Sequence, residues 1–267
     1  MSFRRRLHGL YLGYTVCFLL FLLGMGMLER WGVPHQYIGF TFLAAPLVIY
    51  AVVGVLGRTT DPSEYYVAGR RVPALYNGMA VGADWLSAAS FIGLAGTLYL
   101  SGYGGLAFVM GWTGGFVLVA LLLAPYLRKF GQYTIPDFLG TRYQGQLPRF
   151  IGLVATILCS FVYVVAQIYG VGLITTRLTS IASFEIGIFL GLGGVLVCSF
   201  LGGMRAITWT QVAQYIVLII AYLVPVIWLS MNQTGVPVPQ WASSLQLPAV
   251  SQAEARLKAD PGEQEVI

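Results

Sequence analysis

Charged residues are scarce in this sequence. Asp, Glu, Lys and Arg make up 9% of its 267 residues, where a soluble domain carries about 25%. With 57% hydrophobic residues and a mean hydropathy of +0.76, too little polarity remains to clothe a water-facing surface. An ordinary soluble globular domain is excluded. Histidine and cysteine are equally sparse. His8 and His35 sit at the ends of apolar runs, and Cys17, Cys159 and Cys198 lie inside them. No His or Cys set has metal-ligand spacing, and the cysteines read as small core residues rather than a disulfide framework. There is no phosphate-binding Walker loop, no G-x-S-x-G elbow and no other catalytic constellation, so no enzyme is expected. Alternating apolar and polar residues over about ten positions, the mark of a membrane barrel, are also missing. The expected class is an all-α polytopic membrane protein. Its net charge of +5 does not point to nucleic acid, because the charges lie in short loops where they set topology.

What the chain does have is a series of apolar runs of membrane-crossing length, about 20 residues each. They fall near Leu10–Leu28, Tyr37–Leu56, Ala74–Leu100, Gly105–Leu127, Ile151–Ile174, Ile186–Leu201 and Thr208–Leu229. About seven transmembrane helices are therefore expected. The first run follows Arg4-Arg5-Arg6, but it is longer than a signal-peptide core and no small-residue cleavage site follows it, so it reads as a retained helix. Residues 232–267 hold Pro237, Pro239, Pro248 and Pro261 and no membrane-length run. They read as a polar tail with little fixed structure. With alternating sides, Arg4, Arg5, Arg6, Arg58, Arg70, Arg71, Arg128, Lys129, Arg142, Arg149 and Arg205 share one face, against Arg30, Arg177, Arg256 and Lys258 on the other. The positive-inside rule then places the N-terminus in the cytoplasm and the tail outside.

Most polar residues in these runs have a packing explanation. Gly111, Gly114, Gly115, Gly191, Gly193 and Gly194 suit close helix contacts, and Gln167 and Gln214 suit interhelical hydrogen bonds or a transport path. Asp84 differs, being the one acid deep within a run. A charge at that depth costs at least about 2.5–3.5 kcal/mol, so it faces a cavity or a partner. Around it lie Gly78, Gly82, Ser87, Ala88, Ala89 and Ser90, a composition that makes a local break in the helix cheap. Carbonyls freed by such a break are hard oxygen ligands suited to Na⁺.

Three segments carry a family likeness. SEYYVAGRRVPALYNGMAVGADWLSAASFIG, GQYTIPDFLGTRY and LGGMRAITWTQVAQ occur in that order, and together they resemble signatures of the sodium:solute symporter family. ADWLSAASF and TWTQ are most similar to its cation/acetate symporter branch. The resemblance implies a LeuT-like inverted-repeat fold, with residues 58–231 as the first five-helix repeat. Residues 1–57 would be two peripheral N-terminal helices, and residues 232–267 the start of a loop to a second repeat lying beyond this chain. It implies that the backbone carbonyls of Ala83 and Leu86 bind Na⁺, completed by ligands from the second repeat. An acid that the proline-transporting relatives carry just before Leu86 is replaced here by Trp85, with Asp84 one place earlier. The Thr-Asp pair of many members is Thr210-Gln211 here, which removes a carboxylate from the sodium exit route. Ser90 matches a substrate-facing position in sugar-transporting members. Asp84, Trp85, Ser87, Ser90, Gln167, Gln211 and Gln214 are the candidates for the ion and substrate path.

The expected function is the N-terminal portion of a Na⁺-coupled symporter of the inner membrane, working by alternating access on a short monocarboxylate such as acetate. Expected partners are that solute, Na⁺ as coupling ion, the lipid bilayer and the second repeat, with no other cofactor. A membrane sensor built on a symporter-like domain and an inactive truncated fragment are the alternatives.

Overall fold

The computed structural model describes residues 3–87, 90, 93–180 and 183–259. Every regular element among them is helical. Helices α1 (Phe3–Arg30) and α2 (His35–Leu56) are joined by a tight turn at Gly32. A short α3 (Pro62–Val67) follows, capped by Asp61 with Pro62 opening its first turn, the arrangement that satisfies free N–H groups at a helix start. Then come α4 (Ala74–Trp85) and α5 (Leu94–Ser101). Past a 3-10 turn at Gly102–Gly105 lies α6 (Leu106–Leu118), which passes through one π-turn into α7 (Ala124–Phe130). The remainder is α8 (Ile135–Arg142), α9 (Gln146–Thr179), α10 (Phe184–Thr234) and α11 (Pro239–Ala259).

Among the described residues, five stretches are long and apolar enough to cross a membrane: Arg5–Arg30, His35–Leu56, Leu94–Phe130, Gln146–Thr179 and Gly202–Ala242. At most 11% of the most apolar window of any of them is buried. So much outward apolar surface belongs in lipid or against further helices. Two local features reorganise the runs read from sequence. The Ala74–Leu100 run is divided, because α4 stops at Trp85 and α5 starts at Leu94, leaving neither piece long enough to span alone. The runs near Ile186–Leu201 and Thr208–Leu229 form the two helical segments of α10, which meet without a loop at a non-helical kink at Gly203 (φ 52°, ψ −146°). That conformation is essentially open only to glycine, and Tyr65 packs directly against the position.

The chain divides into two compact units, Met1–Tyr215 and Ile216–Ile267. In the first, α8 packs on α9. Thr134 caps α8 through the Asp137 N–H, and the Asp137 carboxylate meets Arg149 Nη2 of α9 at 2.8 Å. Helices α2 and α9 cross at Gly39, where any Cβ would collide with the Leu178 carbonyl. In the second unit, Gly235 (φ 73°) turns the chain after α10, and Ser230 Oγ donates to Val236 O at 2.7 Å. The expectation of little fixed structure in the tail is corrected over Pro239–Ala259 by α11. Pro239 opens this helix, Lys258 pairs with Glu254 one turn back at 2.6 Å, and Arg256 and Lys258 suit its negative C-terminal end.

Two packing expectations also change. Cys17 and Cys159 are free thiols on the exposed surface rather than core residues, while the Cys198 side chain lies outside the described residues. At Gly111, Gly114, Gly115 and Gly193 a Cβ would meet nothing within 4 Å among the described residues, so no close contact of theirs is seen there. The side-chain positions of Gly191 and Gly194 lie outside the described residues.

Candidate functional site

The break after α4 is built from its own side chains. Leu86 leaves helical geometry (φ −76°, ψ 57°) while its N–H still reaches Gly82 O. The Ser87 N–H then turns to Trp85 O at 2.8 Å. In a continued helix it would serve Ala83 O. Likewise the Ser90 N–H goes to Ser87 Oγ at 3.4 Å, where helical continuation would give it to Leu86 O. Ser90 Oγ caps the same Trp85 carbonyl at 2.6 Å and also reaches Ser87 O at 3.2 Å. Two serines thus hold the turn, and among the described residues the i+4 donors of the Ala83 and Leu86 carbonyls are directed elsewhere. Ala88 and Ala89 lie outside the described residues.

Asp84 and Trp85 leave the end of α4 in different directions. Trp85 packs edge-on to Trp112 and Phe116 of α6, with centroids 6.0 and 6.2 Å away. That contact fixes the last turn of α4. Asp84 is exposed and accepts a hydrogen bond from Gln211 Nε2 of α10 at 3.1 Å. No ion pair involves Asp84 among the described residues. The two helices are in close contact nearby, since a Cβ on Gly82 would sit 2.9 Å from the Tyr215 ring. The carboxylate and the negative end of the α4 dipole therefore coincide, an arrangement that favours a cation.

The other two amides are not drawn into this group. Gln214 lies one turn beyond Gln211, half-buried, and Gln167 Nε2 on α9 is buried without a hydrogen-bond partner among the described residues. No described hydrogen bond ties either to the Asp84–Gln211 pair.

A cavity of about 770 Å³ opens beside the lower part of α4, lined by Asn77, Gly78, Arg70, Arg128, Tyr133 and Thr208 among others. Asn77 and Asp84 are seven residues apart on α4, two turns or roughly 10 Å along one face. Thr208 and Gln211 are three apart on α10, also on one face. The cavity and the Asp84–Gln211 pair therefore share two helix faces. Arg70 is fixed at the rim, donating to Gly131 O at 2.7 Å and lying over the Tyr133 ring.

Sequence reasoning missed a polar and aromatic junction between α1, α4 and α10. His8 Nδ1 lies 3.1 Å from Tyr76 Oη, and Tyr11 Oη donates to Trp209 O at 3.1 Å. The rings of Tyr11, Tyr76 and Trp209 pack mutually at 5.3 to 6.4 Å. The i, i+3 spacing of His8 and Tyr11 was the available signal, since it puts both on one face of α1.

Comparison with known proteins matches residues 65–247 to the model of the sodium:solute symporter family. A protein of Cupriavidus necator described as an uncharacterized symporter is 55% identical over 270 residues. The match covers 99% of this chain and 39% of that relative, so the chain spans well under half of the relative's length. No solved structure matches.

Proposed function

Because the chain belongs to the sodium:solute symporter family, we propose that it is the N-terminal portion of a Na⁺-coupled transporter for a small solute. Family membership points to transport rather than catalysis. We assign the Ala83 and Leu86 carbonyls as Na⁺ ligands, with Asp84 supplying negative charge beside them and Gln211 orienting that carboxylate. Ser87 and Ser90 keep the break open, and Ser90 also faces the solute path. The cavity at Asn77 and Thr208 is the aqueous approach to this point. Its Arg70 and Arg128 suit an anionic solute, in keeping with a short monocarboxylate such as acetate.

The observation that carries the reading is the diversion of the Ser87 and Ser90 amides at the break, which leaves two carbonyls without their helical donors beside a carboxylate. Half-helix ends and unwound carbonyls of this kind hold coupling ions and substrates in secondary transporters. The remaining ligands would come from the second repeat, and the site would be exposed alternately to each side as one repeat rocks against the other. The distribution of Lys and Arg supports a cytoplasmic N-terminus in the inner membrane.

The test is uptake of labelled acetate into proteoliposomes holding the full gene product, under an inward Na⁺ gradient. Uptake should require Na⁺ and fail in Asp84→Ala. Uptake that is equal in K⁺ would remove Na⁺ coupling, and Na⁺-driven uptake of other solutes in place of acetate would remove the monocarboxylate assignment alone.

A further inference from the structure

A second cavity, of about 760 Å³, lies between α1, α2, the segment after α3 and the Arg205–Ala213 turns of α10. Its walls are apolar. Leu7 and Leu10 recur at i, i+3 on α1, and Ile49, Val53 and Leu56 recur at i, i+4, i+7 on α2. Both helices are membrane-crossing by length and composition. One end of the cavity is charged. There the largely buried Glu64 carboxylate pairs with Arg71 through Oε1 and with Arg205 Nε, 3.8 Å from Oε2.

Within the cavity lining two guanidiniums face one carboxylate: Glu64 holds both at the mouth, and the exposed Asp61 carboxylate, outside the lining, also feels the charge of Arg71. Each guanidinium has five N–H donors in a planar fork suited to phosphate, and one carboxylate engages few of them. Arg71 and Arg205 remain 79% and 43% exposed, so both are open to a further anion. An apolar groove between two membrane helices, ending in paired arginines, matches an amphiphile with a phosphate at one end. Basic pockets between membrane helices recognise anionic headgroups by this combination. A free phosphate would leave the apolar walls unused, and a zwitterionic headgroup would bring a cation against the arginines.

We propose that this groove binds an anionic phospholipid, its phosphate on Arg71 and Arg205 and its acyl chains along Leu10, Ile49 and Val53. The lipid bridges the peripheral helices to α10 beside the Tyr11–Trp209 contact, and fastens α1 and α2 to the rest of the unit. The assignment does not depend on which solute or ion the protein moves.

The test is native mass spectrometry of the full chain in mild detergent, titrated with phosphatidylglycerol or phosphatidylcholine. Phosphatidylglycerol should be retained at lower concentration. R71Q/R205Q should weaken that retention about fivefold for each arginine removed. Val53→Trp fills the apolar wall, keeps both arginines, and should also release the lipid, so it decides the matter if the double variant fails to fold. Equal retention of the two lipids, or unchanged retention in Val53→Trp, overturns the proposal. So does displacement of phosphatidylglycerol by glycerol 1-phosphate at equal concentration, which would make the site one for a soluble anion.

Discussion

Gln211 of α10 donates from Nε2 to Asp84 Oδ1 at the end of α4, 3.1 Å apart and 127 positions distant in the chain. A carboxylate from one helix is thereby placed against the amide of another, at the helix end where the Ser87 and Ser90 N–H groups turn away from their helical acceptors. Removing the amide leaves the charge in place but frees its rotamer. Gln211→Ala should raise the Na⁺ concentration for half-maximal uptake about fivefold, in line with about 1 kcal/mol for one hydrogen bond. Asp84→Asn, which removes the charge and keeps the shape, should raise it further. Titrating uptake rate against Na⁺ for both variants checks the order; a larger effect from Gln211→Ala than from Asp84→Asn would contradict it.

Ser90 caps the Trp85 carbonyl at 2.6 Å. Ser90→Ala takes away that bond and the brace on the turn, at a cost of about 1 kcal/mol. The expected outcome is a lower unfolding midpoint together with weaker protection by added Na⁺. If the midpoint drops and Na⁺ protection is untouched, the serine is a structural brace with no bearing on the ion.

Gly203 holds α10 in a bend (φ 52°, ψ −146°) with Tyr65 packed against it. Gly203→Ala meets both the backbone penalty, of about 1–3 kcal/mol, and a steric clash. Folded yield and thermal stability in detergent should fall sharply. Gly111→Ala, at a position where a Cβ meets nothing within 4 Å among the described residues, is the matched control and should leave this chain's stability within about 0.5 kcal/mol.

Asp61 Oδ1 accepts the Ser63 N–H at 2.8 Å. That backbone hydrogen bond, with help from the Ser63 hydroxyl and the charge of Arg71, holds the Asp61 carboxyl below its usual range. A carboxylate whose folded pKa is depressed stabilises the fold above its ordinary pKa and stops doing so as pH falls through the lowered value. The protection factor of the Ser63 amide should therefore be constant from neutral pH down to about 4 and decline only in stronger acid. Asp61→Ala should lack that protection throughout. A decline centred near neutrality would assign the dependence to another group.

The α4 break was legible because its cause is local. Gly82, Ser87 and Ser90 surround one acid in an apolar run, and serine oxygens compete for backbone donors wherever they stand. The partner of Asp84 was not legible, since nothing local to Gln211 marks which helix it faces. That the two segments of α10 meet without a loop turned on one glycine, since Gly203 reads as a turn or as a kink with equal ease. The α11 helix was hidden by its prolines, although Pro239 occupies a first turn where proline is tolerated and Pro248 lies inside the helix. Cys17, Cys159 and the Gly111–Gly115 face were assigned to a core because apolar surroundings in sequence do not distinguish a protein neighbour from a lipid one.

The central claim is that the end of α4 is a Na⁺ site. The most direct measurement is equilibrium binding of ²²Na⁺ to the purified full gene product, comparing the unaltered protein with Asp84→Ala. Saturable binding that weakens about tenfold in the variant, equivalent to about 1.4 kcal/mol, is the result expected. Saturable binding of equal strength in both proteins would contradict it.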